Sequence, residues 1–355
     1  MEFTDLSRYF AINKGRILPF SELRSMKQLK MTQDLKICES PENLAYAEGL
    51  ANRGIVLVPI RRQPPSAKFL NRRNFPRRIL FEMTSNCNFR CRMCPQLSLK
   101  RPRTDMPGKL YREIVDEIDA YGVEGMWLYH LGESLLHPEF QENLRHVSTK
   151  KNLGTLWMST NGQLFTEEII RCVLDSNIDY INFSMHAVTE GTYRIVAKQG
   201  DFKVVRGNLE RFFELKGADR LPRKPFLHCQ MIEQETTRHE VDAFIREYYK
   251  RADIVSINML EYVGLKNNAF GLQQRERKPL SSCLRVERND CFIFSNGQVT
   301  LCDAAYNAEI LLGDVSQKTL FGIWNGGERR RILELSRMGR MDEIEFCRNC
   351  TDYDI

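Results

Sequence analysis

"ILFEMTSNCNFRCRMCPQ", Ile79 to Gln96, joins two signals. Its first six residues, Ile79 to Thr84, are mostly apolar or β-favouring and read as a strand. Cys87, Cys91 and Cys94 follow, separated by three and then two residues. Cysteines placed there lie on the loop at the strand's carboxyl end. Three thiolates can hold three irons of a 4Fe–4S cluster, whereas a cluster meant only for electron transfer normally takes four. The missing fourth cysteine is therefore informative, because something else must bind the fourth iron. The competing reading is a zinc site completed from elsewhere, although tetrahedral zinc sites usually show paired C-x2-C units.

From residue 79 onward a strand–helix rhythm continues. The further candidate strands are "GMWLYHL" (125–131), "TLWMST" (155–160), "IDYINFSM" (178–185), "PFLHCQMI" (225–232) and "DIVSINML" (253–260). Helical patterns lie between them. "LYREIVDEIDAYG" carries Leu110, Ile114 and Ile118 on one face, with Gly122 as the stop. "TEEIIRCVLDSN" has Thr166 as N-cap and two acidic residues in its first turn. Alternating units of this kind predict an α/β fold with a parallel sheet and crossover helices. Six units are too few for the closed eight-unit barrel, so the expectation is a partial, open barrel with its ligands beyond the carboxyl ends of the strands.

The organisation expected is an N-terminal extension (1–75), the barrel (76–265) and a small C-terminal α+β domain (266–355). In the last, "CFIFSNGQVTLC" alternates around Asn296-Gly297, a strong hairpin signal. Arg61, Arg62, Lys68, Arg72, Arg73, Arg77 and Arg78 form a basic cluster before the barrel. Without interleaved aromatics or a recognisable binding module it reads as a solvated linker, so no nucleic-acid partner is expected. The net charge of +6 is mild. No signal peptide or membrane-length apolar run is visible, which predicts a cytoplasmic protein with no membrane partner. Eleven cysteines in such a chain point to metal or redox chemistry rather than disulfides.

The cysteine triad and its setting resemble the radical S-adenosylmethionine (SAM) enzymes, whose motif is C-x3-C-x2-C after the first strand of a partial (β/α)6 barrel. The resemblance implies that SAM chelates the fourth iron through its amino and carboxylate groups. It also implies reductive cleavage of SAM to methionine and a 5′-deoxyadenosyl radical, with an external one-electron donor such as flavodoxin or ferredoxin. One residue departs from the pattern: Met93 stands where an aromatic usually precedes the third cysteine. "HLGES" resembles the family's Gly-Gly-Glu motif, with Gly132 and Glu133 in place and Leu131 replacing the first glycine. By that likeness Glu133 accepts a hydrogen bond from the SAM ammonium. Ser159 and Asn161 share one strand face, as do Asn182, Ser184 and His186. The resemblance suggests Ser184 at the SAM ribose and Gln230 as a further polar contact. Each of these polar residues could equally be a loop anchor.

Cys283, Cys291, Cys302, Cys347 and Cys350 occupy the tail. Thirteen residues separate Cys283 from Gly297, four separate Gly297 from Cys302, and Cys347 and Cys350 form a C-x2-C pair. Together with "LLGDVSQKTLFGIWN" this resembles the SPASM extension in its shortened "twitch" form. Two auxiliary clusters would want about eight ligands. The assignment is therefore one auxiliary 4Fe–4S cluster on Cys283, Cys302, Cys347 and Cys350, with Cys291 either spare or in place of Cys283. A zinc ribbon is the alternative.

This layout is similar to twitch-type aminocyclitol dehydrogenases. The likeness implies oxidation of a secondary alcohol of a sugar or aminocyclitol, with the auxiliary cluster as electron acceptor. His186 is the candidate base or substrate contact, since imidazole titrates near neutrality. Two other enzyme readings stand beside it. One is an epimerase using Cys229 or Cys291 as hydrogen donor; the other modifies a ribosomally made peptide. A zinc-stabilised binding protein is the reading from a different class.

Overall fold

The computed structural model describes residues 11–13, 16–18, 74–217, 225–249, 251–259, 281–348 and 350. Most of the expected N-terminal extension and the segment 261–280 lie outside the described residues. An antiparallel pair, Ala11–Asn13 with Arg16–Leu18, is seen in the extension. The last two arginines of the basic cluster are ion-paired rather than merely solvated. Arg77 grips Glu124 through two hydrogen bonds of 2.8 and 3.0 Å, and Arg78 Nε donates to Asp290 at 2.9 Å.

The six expected strands all form: β1 (Arg78–Phe81), β2 (Gly125–Trp127), β3 (Thr155–Thr160), β4 (Tyr180–Ser184), β5 (Phe226–Glu233) and β6 (Ile254–Met259). They are parallel and adjacent in chain order. Between them run α1 (Gly108–Tyr121), α2 (Phe140–Ser148), α3 (Glu167–Leu174), α4 (Glu190–Val196), α5 (Phe202–Lys216) and α6 (Val241–Tyr248). α1 buries Tyr111, Ile114, Val115 and Ile118 and ends at Gly122, whose φ of +78° suits a residue without a Cβ. Thr166 does stand at the N-cap of α3, but its side chain makes no capping bond, and Glu167 and Glu168 supply the first-turn charge.

Alternation divides each strand between two faces. One face packs on the helices: Phe81 stacks on Tyr111 with centroids 4.3 Å apart, and Phe183 meets Phe165, which in turn meets Phe212 of α5. The other face lines the barrel interior. Its lower layer is a row of rings across four neighbouring strands, Trp127, Trp157, Tyr180 and Phe226, with successive centroids 6.3, 4.0 and 5.3 Å apart. Two residues further along these strands the face turns polar, with Ser159, Asn182 and His228 side by side in register.

β1 and β6 do not pair, so the barrel is open. The tail contributes α7 (Leu284–Glu287), β7 (Asp290–Ile293), β8 (Gln298–Thr300), β9 (Gly313–Asp314), α8 (Leu320–Trp324) and α9 (Gly327–Arg337). β7 lies parallel to β1 in the same sheet, pairing Cys291 with Ile79 and Phe292 with Leu80. β8 and β9 follow antiparallel. The β7–β8 hairpin turns through Ser295, Asn296 and Gly297, closed by Gly297 N–H to Phe294 O at 2.9 Å, with Gly297 at φ +87°. The loop therefore has three residues with glycine at the left-handed position, not two. Among the described residues, no helix is long and apolar enough to cross a membrane.

Candidate active site

The loop after β1 is tied down from several sides. Gln96 Nε2 donates to Ser85 O at 3.0 Å, Glu133 N–H donates to Asn86 O at 2.8 Å, and Arg90–Cys91 pairs with Ala197–Lys198. Gly132 sits so close to this loop that a Cβ would come within 1.9 Å of Thr84 O, so this position excludes any other residue. Met93 is buried beside the loop, with Gln234 Nε2 3.8 Å from its sulfur.

Burial pushes the Cys87 thiol up to about 11; Glu133 and Cys94 add to the shift, and the Phe89 N–H, 3.4 Å from the sulfur, opposes it. Burial raises Cys91 as well, with Cys94 and Cys87 adding to it, and burial raises Cys94. The three thiols thus lie within electrostatic reach of one another in a poorly hydrated place, and there each opposes the next one's ionisation. A cationic iron–sulfur cluster relieves that, so the donor set fits such a group. Among the described residues no three His, Cys, Asp or Glu side chains converge on a single metal ion.

Glu133 accepts from Asn161 N–H at 2.7 Å and from Leu135 N–H at 3.4 Å. Burial nevertheless raises its carboxyl to about 7. A neighbouring ammonium would hold it ionised, which fits the role expected for it beside SAM. Asn161 Nδ2 donates to Asn88 at 2.8 Å and lies 3.9 Å from Cys87 Sγ. Asn182 Nδ2 bridges Ser159 Oγ (3.2 Å) and Gln230 Oε1 (2.6 Å). Ser184 pairs with Gln230 across β4 and β5. Gly132, Glu133, Ser159, Asn161, Ser184 and Gln230 therefore lie along the carboxyl ends of four adjacent strands.

Of the three residues expected to act on substrate, the two cysteines lie elsewhere, while the His186 N–H reaches Gln230 O at 3.3 Å. Cys229 pairs in register with Phe183 and shares its helix-facing side, fully buried. Cys291 pairs with Ile79 on the helix-facing side of β7, also fully buried. Alternation turns both thiols away from the interior, and this corrects their reading as hydrogen donors. His186 is buried at φ +60°, and its Nδ1 accepts the Ile232 N–H at 3.3 Å. Burial lowers it to about 4. It acts as a backbone anchor, and this engagement of Nδ1 corrects its reading as the base.

In the tail, Cys283 N–H donates to Ser336 Oγ of α9 at 2.9 Å, and Cys350 N–H donates to Cys347 O at 3.0 Å. Burial raises Cys302 well above its ordinary value, with Asp303 and Cys283 contributing. Burial pushes Cys347 up to about 12, with Cys283 and Cys350 contributing. Charge interactions thus link Cys283 with Cys302 and Cys347, and Cys347 with Cys350. The charges that act on Cys291 are instead Arg329 and Asp290.

Sequence reasoning missed a buried polar group between the two cysteine sites. Glu82 directly follows β1 and receives Arg101 Nη2 at 2.7 Å, Ser295 N–H at 3.1 Å and Leu131 N–H at 3.3 Å. Arg101 also donates to Tyr306 O at 2.8 Å and lies over the Phe294 ring at 4.3 Å. Its spacing from Glu82 follows no helical or strand period, so only the acidic residue inside an apolar strand marked the place.

Two family models match the chain. "Radical SAM superfamily" covers residues 81–221, and the SPASM "iron-sulfur cluster-binding domain" covers residues 283–351. A tungsten-containing aldehyde ferredoxin oxidoreductase cofactor-modifying protein of Pyrococcus furiosus is 32% identical over 108 residues, 30% of each chain. A GTP 3′,8-cyclase of Desulforamulus reducens is 24% identical over 137 residues, 38% of this chain and 42% of that one. The chain thus spans less than half the length of these two relatives. Among solved structures, BtrN in complex with AdoMet and 2-DOIA matches with TM-score 0.52 and 16% identity, over 79% of this chain and 94% of that one. Streptococcus suis SuiB bound to precursor peptide SuiA matches with TM-score 0.59 and 13% identity, over 89% and 76%. The anSMEcpe structure with bound AdoMet gives 0.55 and 17%, over 74% and 80%. With its cysteine loop seated at the mouth of an open parallel barrel and further cysteines in its tail, the chain carries a radical SAM domain over residues 81–221 and a SPASM iron–sulfur cluster-binding domain over residues 283–351.

Proposed function

We propose that this protein is a radical SAM oxidoreductase that oxidises a secondary alcohol of a small polyhydroxylated substrate, a sugar or an aminocyclitol. Cys87, Cys91 and Cys94 would hold the open cluster, which would supply the chemistry of reductive SAM cleavage. Glu133 holds the SAM ammonium, and the hydrogen-bonded row of Ser159, Asn182 and Gln230 offers polar contacts above the aromatic floor. An external flavodoxin- or ferredoxin-like donor supplies the electron.

The observation that carries the oxidative reading is the grouping of Cys283, Cys302, Cys347 and Cys350. Four thiolates ligate a cluster fully, and such a cluster is suited to accepting an electron rather than binding substrate. Epimerisation loses support because Cys229 and Cys291 both face the helices. The test is 5′-deoxyadenosine formation by anaerobically reconstituted protein. Replacing Cys87, Cys91 and Cys94 together by Ala should abolish it, and unchanged SAM cleavage in that variant sinks the reading. Cys347→Ala should keep SAM cleavage and lose the ketone product; wild-type ketone yield counts against the auxiliary cluster as acceptor.

A further inference from the structure

We infer that His130, oriented by Glu82, is the base that takes the substrate's hydroxyl proton; this rests on the alcohol-oxidation reading above. His130 stands two residues before Gly132, between the cysteine loop and the tail hairpin. Its Nδ1 is buried and lies 3.4 Å from Glu82 Oε2, close enough for an ion pair but short of a fully formed hydrogen bond. The imidazole side chain keeps 7% exposure, which therefore falls on its other atoms. The ring packs 5.2 Å from Phe294 and 6.1 Å from Phe292, both on the tail's β7–β8 hairpin.

The other described histidines near the strand ends are engaged differently. His186 receives a backbone N–H, His228 Nε2 is 2.6 Å from Ser256 Oγ, and His137 bonds to Met106 O and Glu139 N–H. His130 Nδ1 lies 3.4 Å from the buried Glu82 carboxylate. Glu82 is held as the anion by three hydrogen bonds from Arg101, Leu131 and Ser295. A carboxylate fixed in this way selects the tautomer protonated at Nδ1 and leaves Nε2 as the acceptor.

The step balances as follows. The carbinol hydrogen atom passes to the 5′-deoxyadenosyl radical and gives 5′-deoxyadenosine. The hydroxyl proton passes to His130 Nε2 and gives an imidazolium beside Glu82. The remaining electron leaves to a one-electron acceptor of the iron–sulfur class as the C=O bond forms. Arg101 bonds to Glu82 and Tyr306 O and stacks on Phe294, so it is a positioning residue that fixes both the carboxylate and the hairpin wall.

Two experiments test the assignment. In the metal-free protein, nitrogen NMR of labelled histidine should show His130 protonated at Nδ1; a ring protonated at Nε2 overturns it. In reconstituted protein, a panel of aminocyclitols and amino sugars is assayed for ketone and for 5′-deoxyadenosine. His130→Gln should lower ketone formation about 10²- to 10⁴-fold while 5′-deoxyadenosine formation persists. Equal ketone from the variant and the wild type overturns His130 and leaves the alcohol reading standing. If wild type forms 5′-deoxyadenosine but no ketone from any member of the panel, the alcohol reading fails and the role of His130 falls with it.

Discussion

His186 and His228 spend their polarity on the fold. One receives a backbone N–H, the other meets a serine, and burial lowers both to about 4 from an ordinary 6.5. The unfolded chain takes up these protons first as pH falls, so the stability held above 6.5 is lost progressively toward 4. At pH 5 the loss is about 2 kcal/mol per histidine. The urea midpoint should therefore drop between pH 7 and pH 5, and His228→Gln should flatten that drop. Equal midpoints at the two pH values would contradict the assignment. His186 also shows a limit of residue-level reading. Alternation put it on the face of Asn182 and Ser184, but the strand ends at Ser184 and the chain turns through positive φ at His186. His130 was set aside because it fits the faces of the expected strand 125–131 less well, but β2 ends at Trp127, so that strand parity does not extend to His130.

The elements themselves were largely legible. Four barrel strands fall within the stretches read from apolar and β-favouring residues, β1 starts one residue before its stretch and β5 ends one residue past its own, and Gly122 ends α1 as its position suggested. The Asn296-Gly297 signal located the tail hairpin, while the turn type depended on the register of Phe292 with Thr300 and Ile293 with Val299. Gly297 is doubly constrained. Its φ is +87°, and an added Cβ would come within 2.5 Å of the Asp314 carboxylate on β9. Gly297→Ala should cost at least about 1–2 kcal/mol from backbone strain alone. The hairpin carries Cys302 toward Cys283, so iron content should fall from about eight toward about four per chain. SAM cleavage should survive. Unchanged iron in this variant would mean that the hairpin does not set the tail site.

At the scale of the whole molecule, the pairing between distant segments was not written locally. β7 carries an ordinary alternating pattern that could pair in several places. Its position beside β1 depends on Arg78 reaching Asp290 and on Glu82 receiving the Ser295 N–H, contacts that span more than two hundred residues. The presence of two separate cysteine groups was legible, because three cysteines crowd the loop after β1 and the others fall in the tail. The polar junction between them was not, since Glu82, Arg101, His130 and Tyr306 meet only after the sheet has formed.

The continuous sheet makes the tail more than a carrier of cysteines. It covers the flank of β1 that the open barrel leaves unpaired. A chain cut at residue 265 keeps every strand of the barrel yet bares a row of backbone amides and carbonyls along Arg78–Phe81, a template for joining other chains. Such a fragment should appear in light scattering as growing oligomers, and a monodisperse monomer would show that the barrel protects that flank by other means. The tail thus covers an edge through which the barrel could self-associate, and its loss should register first as insolubility.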